Sequence, residues 1–515
     1  GRWRVSIRLL ATSLQSCLAN KRNWLKPRRP APNAAANCVR NLPKAVRCKV
    51  DAAACISKQK SHIARLAASI FSPQFRILGC DVDQTQTPAV LKKISTAAAR
   101  DCSYEKAARN LNDLAELRVS AKQCQRVAIR IGSERLDEQA ERISRYSRAS
   151  LPEQSYGQPD TAPKNDWSSR VAVVQSDGGR AQIRDELWGQ DKTDDKKHRW
   201  WRETQTGCLQ TYLSKPTPED PHPEVPQSLK DSLWIVPKFK EIHRQHASSN
   251  SVEANGSGFC LSTRENEQSI STSNIQTNTK PADKAKDLRW SGGDALVKTV
   301  IATRQGYDRL GLALAAEAYH RGFNKATSKA FMGDGLKVNW SIWERYFSHY
   351  VPITDLMHAL SYVYAAAIAS GTTVEEGWGM YLDWLEKVWA GRVLEVISAM
   401  KDLAADREAN QLEPLHDLTR AITYLGNNAS RMKYDEYRKA GLPITTSLVE
   451  STQKQINQRI KGTEKFWRDE HLEPLLQLVA DDLSDTHDRD AFWTRRQQRH
   501  IGFRLRRRKS KNEVS

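Results

Sequence analysis

Apolar residues recur at helical spacing through residues 91–147. In SYEKAARNLNDLAEL, residues 103–117, alanine and leucine return every three or four positions, which predicts a helix with one buried side. Ser120 and Gln123 have the spacing of a capping box, in which each side chain bonds the backbone N–H of the other, so a second helix should begin there. Gly132 is predicted to follow the end of that second helix.

The second helix is rich in side chains suited to DNA: Lys122, Gln125, Arg126 and Arg130. Two helices joined by a short turn, with the polar and basic residues on the second, are typical of helix-turn-helix DNA binding. A plain helical hairpin has the same pattern, so both interpretations stay open. We assign residues 91–150 to this region.

Strand patterns begin after the proline-rich linker 151–166. Apolar and β-branched runs predict four strands, at residues 170–177, 207–213, 329–335 and 350–355. Helical patterns separate or follow the later strands, at residues 310–322, 339–347 and 356–369. Strands that alternate with helices predict an α/β protein whose sheet has parallel strands.

Two other kinds of segment interrupt this alternation. From Glu375 to Leu425 apolar residues follow helical spacing only, which predicts an all-α insertion. Residues 216–226 contain too many prolines for regular structure. Residues 245–290 are rich in Ser, Asn, Thr and Gln, so we expect a disordered insertion there.

Charge changes the picture by pointing to a polyanionic partner. The formal net charge is +20, residues 1–50 contain no acid, and the tail from 495 to 511 is also basic. Such segments bind phosphates with little sequence preference. The nine cysteines form no CxxC pair, which argues against a zinc finger and a disulfide framework. No apolar run is long enough for a membrane span, so we expect a cytoplasmic, nucleoid-associated protein without a membrane partner.

Three acids stand where metal ligands are expected. Asp177 and Asp334 end predicted strands, and Glu450 lies in a predicted helix after the all-α insertion. Ligands gather at the carboxyl ends of strands in α/β sheets, and carboxylates there can hold two Mg²⁺ (or Mn²⁺) ions. Asp-Gly is also a common turn, and a lone glutamate can be a solvated helix residue, so each acid has an alternative interpretation.

The predicted helix around Glu450 carries a row of basic residues. Glu450, Lys454 and Lys461 share one face, next to an apolar stripe of Val449, Ile456 and Ile460 that should pack on the sheet. The acid should reach a metal while the basic groups follow a DNA backbone. The candidate phosphate contacts are Lys454, Arg459, Lys461 and Lys465.

Several motifs resemble transposases of bacterial insertion sequences, of the DDE superfamily and its Mutator-like branch. The similar stretches are SDGGRAQIR, WWRETQTGCLQTYL, FMGDG, ITDLMHAL and GLPITTSLVESTQKQINQRIKGTEKFW. The resemblance covers roughly residues 91–485, and its last motif is the most specific. It implies an RNase H-like mixed sheet with flanking helices, with Asp177 on the first strand, Asp334 on the fourth and Glu450 on a late helix.

The resemblance also bears on Asp355 and His358. Related transposases carry Cys or Asp, two residues and then His after the second catalytic acid, and Asp355-Leu-Met-His358 has that form. His358 is expected to orient a carboxylate or contact the scissile phosphate, although it also fits a buried core histidine. In a rival assignment Asp355 is the second metal ligand and Asp334 a turn residue; we favour Asp334.

These expectations define the domains and the function. The predicted domains are a basic N-terminal region (1–90), the helix-turn-helix region (91–150), the catalytic core (166–237, 291–370 and 441–486), a disordered insertion (238–290), the all-α insertion (371–440) and a basic tail (487–515). We expect metal-dependent end cleavage and strand transfer, with double-stranded DNA (terminal inverted repeats and target) as partner and a homodimer or higher oligomer as the active form. The alternatives are an inactive or domesticated DNA-binding protein and an RNase H-like nuclease.

Overall fold

A computed structural model describes residues 86–156, 167, 169–184, 200–249, 293–462 and 465–497. All of these residues belong to one unit, residues 78–515. Residues 1–85 of the predicted basic N-terminal region, the second half of the proline-rich linker, most of the predicted disordered insertion and the end of the basic tail lie outside the described residues.

The described strands form one mixed sheet. They are β1 (Arg170–Ile183), β2 (Trp201–Leu213), β3 (Asp294–Thr303), β4 (Ser328–Gly333), β5 (Val351–Thr354) and β6 (Phe466–Trp467). The order is β3-β2-β1-β4-β5; β1, β2 and β3 are antiparallel, while β4 is parallel to both β1 and β5, and β6 pairs in parallel with the end of β1. A mixed sheet flanked by helices confirms the predicted α/β class.

The helices of the described residues surround this sheet. In chain order they are α1 (Pro88–Arg100), α2 (Tyr104–Ala115), α3 (Ala121–Arg148), α4 (Leu151–Tyr156), α5 (Gln227–Lys230), α6 (Ser232–Ser249), α7 (Tyr307–Arg321), α8 (Lys337–Tyr346), α9 (Leu356–Ser370), α10 (Val374–Trp389), α11 (Val393–Ala409), α12 (His416–Asn428), α13 (Tyr434–Lys439), α14 (Ser447–Ile460), α15 (Asp469–Leu483) and α16 (488–497). None of the helices in the described residues has both the length and the apolar character needed to cross a membrane.

The sheet is buried on both faces. Alternate residues of β1 point to opposite faces: Val171 and Val173 lie in an apolar cluster with α9 to α13, whereas Ala172 and Val174 lie in a second cluster with α7 and α8. This explains why the strand reads as a continuous apolar run rather than an alternating one. A third cluster joins Ile183 at the far end of β1 to α1, α3, α14, α15 and α16.

Strands β1 and β2 are longer than predicted, because their pairing continues over polar residues. β1 continues past Asp177 to Ile183, and β2 begins at Trp201, because the two strands pair along this whole length, with Gln182 opposite Trp201. β3 and the two-residue β6 have no counterpart among the predicted strands. β6 is too short to leave a pattern, whereas β3 contains Val297, Val300 and Ile301, a β-branched signal that sequence reasoning missed.

The N-terminal helices confirm the capping box and correct the helix end. Ser120 Oγ accepts from Gln123 N at 3.2 Å, and Gln123 Oε1 accepts from Ser120 N at 2.8 Å. The prediction that α3 ends before Gly132 is wrong, since α3 continues to Arg148. A Cβ at position 132 would lie 2.1 Å from the Pro474 carbonyl oxygen of α15, so the glycine permits close helix packing instead of ending the helix.

Two regions between the strands consist of helices or irregular structure. Residues 374–439 contain only helices and turns, which agrees with the helical spacing of 375–425. Residues 216–226 form no helix or strand, as their prolines predict. The predicted disorder is wrong for 238–249, because α6 covers this stretch and buries Phe239 and Ile242 in the core.

Candidate functional site

The acids singled out in the sequence meet at one edge of the sheet. Asp334 directly follows β4 and Asp355 directly follows β5. Asp177 lies on β1, two residues beyond Gln175, the last β1 residue paired with β4. Glu450 is in the first turn of α14. Because β1, β4 and β5 run in parallel, their carboxyl ends share this edge, which is where α/β sheets bind ligands.

Asp177 lies in a strongly negative environment. It is half-buried, and its Oδ1 accepts a hydrogen bond from Gly178 N at 2.7 Å. Burial, followed by the charges of Asp334 and Glu450, raises the pKa of Asp177 to about 7, while the charge of His358 acts in the opposite direction. The carboxyl groups of Asp334 and Glu450 therefore each lie within electrostatic reach of Asp177.

Asp334 is held by a chain of hydrogen bonds that starts on β1. Its side chain is almost buried, and its Oδ1 accepts from Leu336 N at 3.0 Å and from Asn339 Nδ2 at 2.8 Å. Asn339 Oδ1 in turn accepts from Ser176 Oγ at 2.7 Å. The residue next to Asp177 thus fixes the orientation of Asp334 through one amide.

The backbone after Asp334 is held by α12. Tyr424 donates its hydroxyl to the Asp334 carbonyl at 2.7 Å, and its ring packs over Gly335. Gly335 has φ +93°, and a Cβ there would lie 2.6 Å from the Tyr424 ring. Asp334-Gly335 is therefore a turn, as its alternative interpretation predicts, and the turn also directs the carboxylate to the site.

Asp355, His358 and Glu450 form the tightest group. Asp355 is fully buried, and its Oδ2 lies 2.6 Å from His358 Nδ1. His358 Nδ1 lies 3.9 Å from Glu450 Oε1. Thr446 joins both acids, since its backbone N donates to Asp355 Oδ1 at 2.8 Å and its hydroxyl donates to Glu450 Oε1 at 3.1 Å.

His358 is the positive charge of this group. Burial alone would lower its pKa, but the hydrogen bond and charge of Asp355, with the charges of Glu450 and Asp334, raise it to about 10. The imidazole is therefore protonated at neutral pH. Burial and the charge of Asp355 raise the pKa of Glu450, while His358 lowers it.

The donor atoms divide into occupied and open ones. Among the described residues, Asp355, His358 and Glu450 are the group of three whose possible ligand atoms all lie within 4.8 Å of one another. Both Asp355 oxygens already accept hydrogen bonds, however, and His358 Nδ1 is engaged by Asp355 Oδ2. Within the described residues, the second oxygens of Asp177, Asp334 and Glu450 accept no hydrogen bond.

These open carboxylate oxygens fit a hard divalent cation. Mg²⁺ prefers oxygen donors and retains several waters, so it does not require a closed cage of protein ligands. The ligand atoms of Asp177 and Asp334 do not belong to the 4.8 Å group of Asp355, His358 and Glu450. Binding of Mg²⁺ or Mn²⁺ by these acids stays a prediction.

Glu450 is positioned by the close docking of α14 on β1 and β2. Gln175 Oε1 accepts from Val449 N at 3.2 Å, and Gln453 bonds the Thr206 hydroxyl. A Cβ at Gly179 would lie 2.0 Å from Gln453 Nε2, so the glycine allows this approach. The predicted apolar stripe, Val449, Ile456 and Ile460, is fully buried.

The predicted DNA-contacting residues of α3 lie near its first turns. Lys122 and Arg126 are exposed, and Lys122 Nζ bonds Gln125 Oε1 at 2.8 Å. Arg130 is partly buried and lies 3.7 Å from Glu134. Their placement leaves helix-turn-helix DNA binding a prediction.

The predicted phosphate contacts of α14 differ in how far they are buried. Lys454 is exposed and bridges Glu241 at 2.9 Å. Arg459 is 3% exposed, donates to the Ala98 carbonyl and stacks on Tyr104, so it serves the core and is not placed to contact a phosphate.

The last two lysines among these predicted contacts lie around the end of α14. Lys465 Nζ donates to the carbonyls of Gln458 and Arg459, so it caps the helix. Lys461 is half-buried, and burial followed by the charge of Arg180 lowers its pKa.

Sequence reasoning missed the residues that hold the acids in place. Ser176, Asn339, Thr446 and Tyr424 were not singled out, although all four bond a site acid or its neighbour. A polar residue beside each acid, as in TTSLVE, is the available signal for Thr446. Tyr424 has no local signal, because it comes from a separate helix.

Comparisons with known proteins add no identity to this geometry. No protein-family model matches the chain, and no curated protein sequence matches it. The function is therefore argued from the site itself.

Proposed function

We propose that this chain cleaves and joins DNA with divalent metal ions, as transposases of the DDE superfamily do. The observation that carries this proposal is the convergence of Asp177, Asp334 and Glu450, each with one open oxygen, from two strands and a helix. A turn accounts for Asp334 alone, since Asp177 lies within β1 and Glu450 accepts a hydrogen bond from Thr446; neither alternative explains why the three acids lie near one another.

We further propose an RNase H-like core with an all-α insertion. In support, Asp177 lies on the first strand, Asp334 ends the fourth, and Glu450 lies on a helix that follows the helical block 374–439. Placement of β1 at the centre, with antiparallel β2 on one side and parallel β4 on the other, also supports this core.

In the proposed reaction water cleaves a phosphodiester at the element's end and frees a 3′-hydroxyl. That hydroxyl then attacks a phosphodiester of target DNA, without a covalent bond between protein and DNA. Bound Mg²⁺ or Mn²⁺ would activate the attacking oxygen and stabilise the leaving oxygen. Asp177, Asp334 and Glu450 would hold the ions through their open oxygens.

The Asp355–His358 pair has a separate role in this proposal. Asp355 fixes the His358 ring, and the protonated ring faces Glu450. A fixed cation there offsets part of the repulsion among the acids and orients Glu450. With both oxygens of Asp355 occupied, we assign Asp334 as the second ligand and Asp355 as a positioning residue.

The wider proposal concerns the DNA partner. The exposed Lys122 and Arg126 at the start of α3 are suited to the terminal inverted repeats, and joining two ends calls for a homodimer or larger assembly on DNA. Phosphate contacts by the flanking basic segments would be independent of sequence.

Replacing Glu450 by Gln tests the proposal directly. The amide keeps the size of the side chain but removes the charge that binds the metal, so cleavage of the element's own ends in Mg²⁺ should fall about a thousandfold. DNA binding should persist. Glu344→Gln, an exposed position on α8, is the matched control and should cleave normally.

Each outcome separates the candidate functions. Full cleavage by the Glu450→Gln variant would contradict the assigned site. Binding without Mg²⁺-dependent cleavage by the unaltered chain would favour a DNA-binding protein without catalysis. Cleavage without strand transfer would favour an RNase H-like nuclease.

A further inference from the structure

One flank of α6 combines an aromatic ring, a lysine and a glutamate. Trp234, Lys238 and Glu241 are spaced i, i+4 and i+7, so they share one side of the helix. Lys238 Nζ lies 3.4 Å from the centroid of the Trp234 ring, a cation–π contact. Lys240 lies on a different side, about 200° around the helix from Lys238 at 100° per residue.

The buried side of α6 fixes this flank beside the acid site. His243 Nε2 lies 3.2 Å from the Ser361 carbonyl, and the rings of Phe239 and Tyr364 are 5.4 Å apart. Both partners belong to α9, the helix that begins at Asp355 and carries His358. α6 therefore packs against an element of the site.

The exposed flank meets α14 directly. Glu241 Oε1 lies 2.9 Å from Lys454 Nζ, and Lys454 is one turn beyond Glu450 on the same face. Burial and the charge of Lys454 lower the pKa of Lys238, while Glu450 acts in the opposite direction. The two ammonium groups thus lie near each other and near Glu450.

We propose that Lys238 and Lys454 together bind the phosphate backbone of a DNA strand next to the acid site, and that Glu241 occupies Lys454 until the strand arrives. This phosphate clamp, Lys238 with Lys454, rests on the proposed function for the identity of the strand. A phosphate between two ammonium groups relieves their mutual repulsion and releases counterions from the DNA. The Trp234 ring holds the flexible Lys238 side chain in position.

The effect of Glu241 on DNA affinity distinguishes the clamp from a purely structural ion pair. If Glu241 competes with phosphate for Lys454, its removal should strengthen DNA binding, whereas removal of Lys238 should weaken it. A structural ion pair predicts no gain from Glu241→Gln, because loss of the pair leaves a less ordered surface.

The test measures binding of the full chain to a fluorescent DNA duplex of mixed sequence, without divalent cations, over a range of salt. Lys238→Gln should weaken binding about fivefold and reduce the slope of log affinity against log salt by about 0.9, the loss of one phosphate contact. Glu241→Gln should tighten binding about threefold. Lys240→Gln, an exposed lysine on the same helix, is the matched control for charge.

Either of two results would overturn the clamp. The Lys238→Gln variant would bind DNA as tightly as the Lys240→Gln variant, or the Glu241→Gln variant would bind DNA no more tightly than the unaltered chain. Either result would leave the proposed function intact if Glu450→Gln still abolishes cleavage. A third result would separate the two proposals in the other direction. If Lys238→Gln weakens and Glu241→Gln strengthens DNA binding, but the unaltered chain shows no Mg²⁺-dependent cleavage, the clamp is retained as a DNA-binding surface and the transposase reaction is rejected.

Discussion

Two groups of buried acids in this molecule differ in what faces them. Between α3, α15 and α16 the acids meet guanidinium groups: Arg135 contacts Asp481 at 2.7 Å, and Arg142 contacts Asp488 at 2.8 Å. Burial raises the pKa of Asp488, but the charge and hydrogen bond of Arg142 hold it below its usual value. At the sheet edge the acids face one another, and the pKa of Asp177 is raised to about 7.

The difference separates acids that are neutralised within the fold from acids that are not, and the second group is the one that we propose to bind metal ions. In the first group each buried charge has an opposite charge within contact, so nothing else is needed. In the second, His358 and, on the exposed side, Lys454 are the cations that act on Glu450, and they face the four carboxylates of Asp177, Asp334, Asp355 and Glu450. Perturbed carboxylates of this kind are typical of functional sites.

The largest effect should come from breaking the first group. Arg135→Met leaves Asp481, 9% exposed at its side chain, without its guanidinium, whereas Glu138 keeps its contact with Arg495 at 2.6 Å. The free energy of unfolding should fall by about 3–5 kcal/mol, because an uncompensated charge stays buried. Urea unfolding of the full chain measures this.

The same helix provides the control for that prediction. Arg145 lies 3.6 Å from Glu141, and both side chains are 71% exposed, so Arg145→Met should change stability by less than about 0.5 kcal/mol. Equal effects of the two variants would show that the guanidinium–carboxylate contacts do not stabilise the fold.

At the acid site, removal of a charge is expected to increase the free energy of unfolding, by a smaller amount. Folding raises the pKa of Asp177 from 3.8 to about 7, so between these values the folded state binds more protons and stability falls as pH rises. Without divalent cations, Asp177→Asn should therefore raise the free energy of unfolding at about pH 8 by on the order of 2 kcal/mol, discounted for partial exposure. The gain should vanish below about pH 3, where the carboxyl is largely protonated in both states.

Urea unfolding at the two pH values checks this prediction. Asp308→Asn, at a side chain that is 93% exposed on α7, should show no comparable gain. Destabilisation by Asp177→Asn at the higher pH would mean that the acid is favourably paired in the fold, like those of the first group.

Much of the fold could be predicted from periodicity. β4, β5 and α7 to α9 agree within a few residues with their apolar patterns, because their packing faces are continuous along the chain. β6 could not, because two residues carry no pattern; β3 could have been, since Val297, Val300 and Ile301 form a β-branched run. The first turns of α6 contain Pro237, and its remainder precedes a polar segment, so local composition concealed a helix that tertiary packing stabilises.

The acids of the candidate site could be predicted from the sequence, but the residues that hydrogen-bond them could not. Asp177 and Asp334 were visible because Asp-Gly ends a strand pattern, and Glu450 because it interrupts a basic row. Which oxygen accepts a hydrogen bond depends on partners 90 or 91 residues away along the chain, Tyr424 for the Asp334 carbonyl and Thr446 for Asp355. The burial of Arg459 likewise follows from α1, a separate part of the chain.

Calorimetric titration of the full chain with Mn²⁺ tests the central claim most directly. The account predicts a bound ion whose affinity rises as pH rises through about 7, where Asp177 loses its proton. It also predicts that Asp334→Asn weakens binding about 100-fold, by removing one carboxylate ligand. No Mn²⁺ binding by the unaltered chain, or equal binding by the Asp334→Asn variant, would contradict the account.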